Sequence, residues 1–241
     1  MSKMRVDVTV VPQELEQRDL GDLCVVVLDV LRASSTIVTA MANGCEEIIP
    51  TATVEEAVEI AHSYGKGEFL LGGERKGNKI EGFDLGNSPS EYTPERVKGK
   101  KVIFTTTNGT RLLKATKGAS TVVIGSFLNL EAATEYALNL GKDVILACAG
   151  DGRRLALEDL ACAGMMADYL VSRGDLSQSD GALAARLVYQ AFRDDVGRAL
   201  GTSEHGKFLI NAGYAGDLEL CSMLNVHTVV PCFSQGHIVR I

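Results

Sequence analysis

CVVVLDVLRASST, residues 24–36, is the stretch from which the fold can be read. From Cys24 to Val30 it is apolar except for Asp29, the pattern of a strand buried on both faces of a parallel sheet. A short polar loop follows, then a helix from Ser35 to Asn43 that Gly44 closes. DVILACAG at 143–150 repeats the order and leads into a helix over 155–172. Working outward, strands are predicted at 4–12, 46–51, 69–71, 101–107 and 121–126. Thr53 caps a helix to about Tyr64, with Glu55 and Glu56 in its first turn, where they suit the dipole. Further helices are predicted from Thr93–Pro94, over 110–115 and over 130–140, and as one long helix over 181–200 with a stripe at Leu183, Leu187 and Ala191. Shorter ones fit 203–211 and 217–224, and two strand-like pieces, 226–232 and 237–241, end the chain.

This alternation predicts an α/β protein, three layers α/β/α around a largely parallel sheet. The 241 residues read as a single catalytic unit. The echo between 24–30 and 144–150 leaves open two similar packed halves, about 1–118 and 119–241, although one echo is not a repeat.

Composition narrows the function. Lys and Arg number 24 against 31 Asp and Glu, for a net charge of −7, and no basic run occurs. A nucleic-acid partner is therefore not expected, and any anion site must be local. MSKMRVDVTV at the start has no apolar signal core. The purest apolar runs, 24–28 and 144–150, fall far short of the ~20 residues of a membrane span. The six cysteines, 24, 45, 148, 162, 221 and 232, read as free thiols, mostly buried. Together these features predict a cytoplasmic protein with no membrane partner. The 25 glycines, about 10% against a usual ~7%, suit tight turns and close backbone approaches.

Five polar clusters interrupt the framework, four of them after a strand, where parallel sheets bind ligands. LDVLRASST, 28–36, offers Asp29 for a cation, Arg32 for an anion and amides at a helix start. Taken alone, it reads better as a buried Asp29–Arg32 pair with a serine cap. LLGGERKGNKIEGFDLGNSPS, 70–90, supplies Glu74, Arg75, Asn87 and Ser88 in a long irregular segment. A solvated surface loop is its plain alternative, which the apolar Phe83 and Leu85 weaken. TTTNGTR, 105–111, places Thr106, Thr107, Asn108, Gly109 and Thr110 where hydroxyls and amides can cradle phosphate or sulfonate oxygens. The competing hairpin turn at Asn108–Gly109 is disfavoured because TRLLKA does not alternate as a return strand. CAGDGRRLALEDLACAG, 148–164, adds Gly150, Asp151, Glu158 and Asp159. The last two are adjacent on a helix and diverge by about 100°, so one faces the site and the other supports it or faces solvent. SEHGKFL, 203–209, offers His205 as a general acid or, more simply, as a capping or packing residue.

Cys148 and Arg154 also match the spacing of cysteine-dependent phosphatases, in which a thiolate attacks phosphorus. Here Ala147 stands where a histidine is usual and Leu155 where a hydroxyl is usual. No P-loop, dinucleotide fingerprint or zinc pairing of cysteines is present.

As an ordered set, LDVLRASST, GGER, GFDLGNSPS, TTTNGTR and CAGDGRRLALEDLACAG resemble the 2-phosphosulfolactate phosphatase family, with weaker similarity through SEHGKFL and GDLELC. The resemblance implies a fold particular to that family and a magnesium-dependent phosphatase. Its namesake reaction converts (2R)-phospho-3-sulfolactate to 3-sulfolactate and phosphate on the route to coenzyme M. Magnesium takes oxygen ligands and keeps several waters; Asp29, Glu74, Glu158 and Asp159 are the candidates for holding it and for catalysis. Arg32, Arg75, Asn87, Ser88, the 106–110 loop and Gly150 are the candidates for binding a small substrate rich in anionic groups. A homodimer remains open. So does a non-catalytic sensor of a sulfonated or phosphorylated acid, which would not need the carboxylates.

Overall fold

Cys24–Leu28 forms a strand with every side chain buried, as a continuous apolar run requires when helices cover both faces of a sheet. A computed structural model describes residues 3–65 and 67–241; Met1 and Ser2, at the head of MSKMRVDVTV, and Lys66 lie outside the described residues. In chain order the first elements are β1 (Arg5–Thr9), β2 (Cys24–Leu28), α1 (Ala33–Ala42), β3 (Glu47–Pro50), α2 (Val54–Ala61), β4 (Phe69–Arg75), β5 (Asn78–Lys79), α3 (Pro94–Val97), β6 (Lys101–Thr105) and α4 (Gly109–Ala115). They continue with β7 (Thr121–Gly125), α5 (Leu130–Asn139), β8 (Val144–Cys148), α6 (Leu157–Arg173), β9 (Ser177–Gln178) and α7 (Asp180–Phe192). The chain closes with α8 (Val196–Thr202), α9 (Glu204–Asn211), α10 (Ala215–Cys221), β10 (Pro231–Ser234) and β11 (His237–Arg240).

The strands make one sheet in the order β5-β4-β6-β3-β11-β10-β7-β2-β8-β1-β9. Strand alternation assigns the two faces. Val26 and Leu28 pack with α5, α6 and α7 on one face, while Val25 and Val27 pack with α1 and α4 on the other. The architecture is thus α/β/α with a mostly parallel sheet. Strand β2 runs between β7 and β8, so the sheet is shared across residue 118.

The C-terminal hairpin β10–β11 is wedged into the middle of the sheet, antiparallel to β7 on one side and to β3 on the other. Three successive antiparallel pairings make the block β3, β6, β4 run opposite to the block β7, β2, β8, β1. Five steps separate β6 from β2; at roughly 20–25° of twist per strand they turn by about 100–125°. Loops at the C-terminal ends of both blocks line one cavity.

Two expectations from the sequence need correction. Gly72 to Arg75 are not irregular, because β4 continues through them in parallel register with β6. Gly73 has φ of 142°, and a Cβ there would lie 2.1 Å from the Thr105 carbonyl oxygen, so only glycine allows this approach. The long helix over 181–200 is two helices, α7 and α8, with Asp195 capping the second through the Arg198 amide at 3.2 Å. Its Leu183 and Leu187 face solvent, because α7 turns the small Ala182 and Ala185 inward instead. Among the described residues, no helix is long and apolar enough to cross a membrane.

Candidate active site

The loops after β2, β4, β6 and β8, with the first turn of α9, enclose a cavity of about 380 Å³. Its lining includes Asp29, Arg32, Glu74, Asn87, Thr106, Thr107 and Asn108, together with Lys76, Asp151 and His205.

The carboxylates differ in what their oxygens already hold. Glu74 accepts the Thr107 amide at 2.8 Å through Oε1 and the Gly77 amide at 2.7 Å through Oε2, which ties the β6–α4 loop to the β4–β5 turn. Asp159 accepts the Val30 amide at 2.8 Å and the Gly150 amide at 3.2 Å, joining the loops after β2 and β8. It is the supporting member of the Glu158–Asp159 pair and does not line the cavity. Glu158 is also buried and lines an adjoining cavity of about 230 Å³, where its Oε2 has no hydrogen-bond partner.

Asp29, like Glu158, keeps an open oxygen, and it does so on the main cavity. Its Oδ1 accepts only the Ala33 amide at 3.3 Å, and no hydrogen bond among the described residues reaches its Oδ2. The three hydroxyls that follow it serve the framework. The Ser34 hydroxyl accepts the Asp29 amide, Ser35 donates to the Val30 carbonyl, and Thr36 donates to the Asn87 carbonyl. Burial, together with the nearby Glu74 and Glu158 carboxylates, pushes the Asp29 carboxyl up to about 7. Burial also raises Glu158 and, with the Glu158 and Asp29 charges, holds Asp159 well above the usual carboxylate range. This is a site short of positive charge.

Arg32 does not pair with Asp29. It is 2% exposed, donates to Asp217 Oδ2 at 2.7 Å and to the Gly77 carbonyl at 2.8 Å, and lies 4.3 Å from the Tyr214 ring centroid. Ser88, read as a substrate contact, donates to the other Asp217 oxygen at 2.5 Å and lies away from the cavity. Arg75 is likewise directed away. It follows Glu74 on a strand, so it points to the opposite side, where it donates to the carbonyls of Glu74 and Ala52 and to the Thr105 hydroxyl.

The 106–110 loop also differs from a simple amide cradle. The Thr106 amide donates to the Thr110 hydroxyl and the Thr107 amide to Glu74, so both are committed. Gly109 and Thr110 lie behind the wall, where a Cβ on Gly109 would sit 2.9 Å from the Ala33 methyl and 3.1 Å from Asp29 Oδ2.

The cysteine alternative fails on burial. Cys148 ends an entirely buried strand inside the core, and desolvation, then the Asp159 charge, holds its thiol well above the usual value. No thiolate is available there at neutral pH, and Arg154 is exposed on its turn. Cys148→Ser is expected to leave phosphate release within a few-fold of wild type; a folded variant without turnover would reinstate the thiol.

Sequence reasoning missed Lys76 and Asp217 as parts of the site and left His205 open. Asp217 meets Arg32 across 185 positions, a separation that gives no local pattern.

A family model described as 2-phosphosulpholactate phosphatase matches residues 9–236. The chain belongs to the 2-phosphosulpholactate phosphatase family. A relative from Caldanaerobacter subterraneus subsp. tengcongensis, named a probable 2-phosphosulfolactate phosphatase, is 41% identical over 94% of this chain and 93% of its own. Relatives of the same name from Clostridium acetobutylicum and Carboxydothermus hydrogenoformans are 38% and 41% identical, each over 98% of this chain and 100% and 94% of their own. Family membership and the cavity meet at the same residues, since Asp29, Glu74, Asn87 and Thr106–Asn108 all belong to motifs within the matched span.

Proposed function

We propose that this chain hydrolyses the phosphate monoester of a small organic acid, 2-phosphosulfolactate foremost, releasing sulfolactate and phosphate as in coenzyme M biosynthesis. The observation that carries this reading is the open, buried Asp29 carboxylate on the lining of a cavity of about 380 Å³, a size suited to a small acid.

Magnesium fits the donors present. Among the described residues, no three His, Cys, Asp or Glu side chains gather into a metal-holding set. Magnesium does not require one, since it binds through one or two carboxylates and retains waters. The oxygens left open are of the right kind: Asp29 Oδ2, the unpartnered Asn87 Oδ1 on the same cavity, and Glu158 Oε2 beside it. Asp29 would hold the ion, with Glu158 nearby. When bound, magnesium supplies charge neutralisation at the phosphoryl oxygens and orientation of the ester. The protein side chains do the rest. Glu74 fixes the 106–108 loop and the β4–β5 turn around the substrate. His205, whose pKa burial lowers, presents a neutral imidazole that can accept a proton from the attacking water. The six free cysteines suit a reducing cytoplasm.

The test is phosphate release from 2-phosphosulfolactate and related esters with magnesium and in excess chelator. Metal-dependent turnover is expected, and full activity in chelator would remove the metal. A binding readout accompanies it. The Asp29 carboxyl is raised above its unfolded value of 3.8 toward 7, so the folded protein retains a proton that the unfolded chain loses. Metal-free stability therefore falls as pH rises through that window. Magnesium, which replaces that proton, should raise Tm more at pH 8 than at pH 5. Equal shifts at both pH values would place the ion elsewhere.

A further inference from the structure

The β4–β5 hairpin turns at Lys76 and Gly77, with φ of 53° and 80°. Glu74 pairs with Lys79 and Arg75 with Asn78, so these two residues are the whole loop. Two left-handed residues in a two-residue hairpin are the type I′ geometry, which favours asparagine, aspartate or glycine at the first position. A lysine there gives up turn stability, because its Cβ crowds the backbone in that region. Strained positions of this kind concentrate at ligand sites.

This turn is firmly held. The Gly77 amide donates to Glu74 Oε2 at 2.7 Å, and its carbonyl accepts from Arg32 at 2.8 Å. Phe208 packs against it so closely that a Cβ on Gly77 would come within 2.7 Å of the ring. Lys76, an exposed residue, is thereby held on the cavity lining. Among the described residues it makes no ion pair. The other formal cation on the lining, Arg32, is committed to Asp217, while Asp29, Glu74, Asp151 and Glu204 make the lining acidic. Among the described residues, an anionic substrate entering this cavity has one uncommitted cation on the lining to meet.

We propose that Lys76 binds the anionic group farthest from the phosphate, the sulfonate of 2-phosphosulfolactate, and so determines substrate choice. This rests on the phosphatase reading above. With the phosphate at the buried Asp29, the sulfonate, one carbon beyond the phosphate-bearing carbon, would meet the exposed Lys76 on the same lining. The ammonium carries three donors and no acceptor, which matches a group of three acceptor oxygens.

The experiment compares kcat/KM for 2-phosphosulfolactate and 2-phospholactate, which has a hydrogen in place of the sulfonate, in wild type, Lys76→Asn and Lys76→Arg, all with magnesium. Asparagine suits the turn, so Lys76→Asn should fold with Tm at or above wild type while its preference for the sulfonated ester falls about tenfold or more, the scale of a lost charge-assisted contact. Lys76→Arg should keep most of that preference. A preference unchanged in Lys76→Asn at unchanged Tm overturns the assignment and leaves the phosphatase reading standing. A lower Tm with no rescue by arginine makes Lys76 a turn residue only and overturns it as well. Wild type that releases phosphate from neither ester overturns the phosphatase reading, and this inference with it.

Discussion

Asp29→Asn is expected to lose about a hundredfold or more in kcat/KM, the scale on which removing a group that acts on reacting charge is felt, and at the same time to melt higher than wild type without metal. Both effects have one origin. Asp29 is 7% exposed, close to Glu74 and Glu158, and its Oδ2 is unpartnered. A buried carboxylate with an open oxygen opposes folding, a cost that the magnesium proposed above would offset. Asparagine keeps the shape and the acceptor for the Ala33 amide but removes the charge that draws the ion. The magnesium-induced rise in Tm should vanish in this variant. Steady-state kinetics and thermal melts with and without magnesium decide; near-wild-type turnover, or an undiminished magnesium shift, would move the ion away from Asp29.

The second large effect is expected at Arg32. Arg32→Ala leaves Asp217 buried, 5% exposed, with its charge uncompensated. Breaking a buried pair in this way costs about 3–5 kcal/mol, which in a chain of this size lowers Tm by on the order of 10 °C. The Gly77 carbonyl also loses its donor, so the turn that carries Lys76 loosens and KM rises. The double variant Arg32→Ala/Asp217→Asn separates the charge from the packing. It should be less destabilised than the sum of the single changes by about 1 kcal/mol or more, the coupling of residues in contact. Strict additivity, or a loss below about 1 kcal/mol for Arg32→Ala alone, would show that the pair does not hold the site together.

The layered α/β architecture was legible because its signals are local. An apolar run such as 24–28 identifies a doubly covered strand within five residues, and the period of each segment fixes its type. The order of the motifs identified the family and singled out Asp29, Glu74, Asn87 and the 106–108 loop, all of which line the cavity. Local reading failed where the outcome depended on distant chain. Arg75 and Glu74 are neighbours in sequence with equal claims as site residues, yet the pleat of β4 directs only Glu74 to the cavity. Leu183 and Leu187 form a stripe of the kind that packs on a core, but the fit of α7 against α6 through Ala182 and Ala185 turns them outward.

The sequence by itself therefore determined the layers, the family and most of the acids from which the site is made, because hydrophobic period and motif order are properties of short segments. Only the tertiary structure decided which acids are open. Glu74, Asp159 and Asp217 are each satisfied by donors from loops or helices remote in sequence, which leaves Asp29 and, beside the cavity, Glu158 with an uncommitted oxygen. It also decided that loops from two oppositely directed blocks of strands meet at all, because that depends on how the inserted C-terminal hairpin orders the sheet, which no short segment encodes.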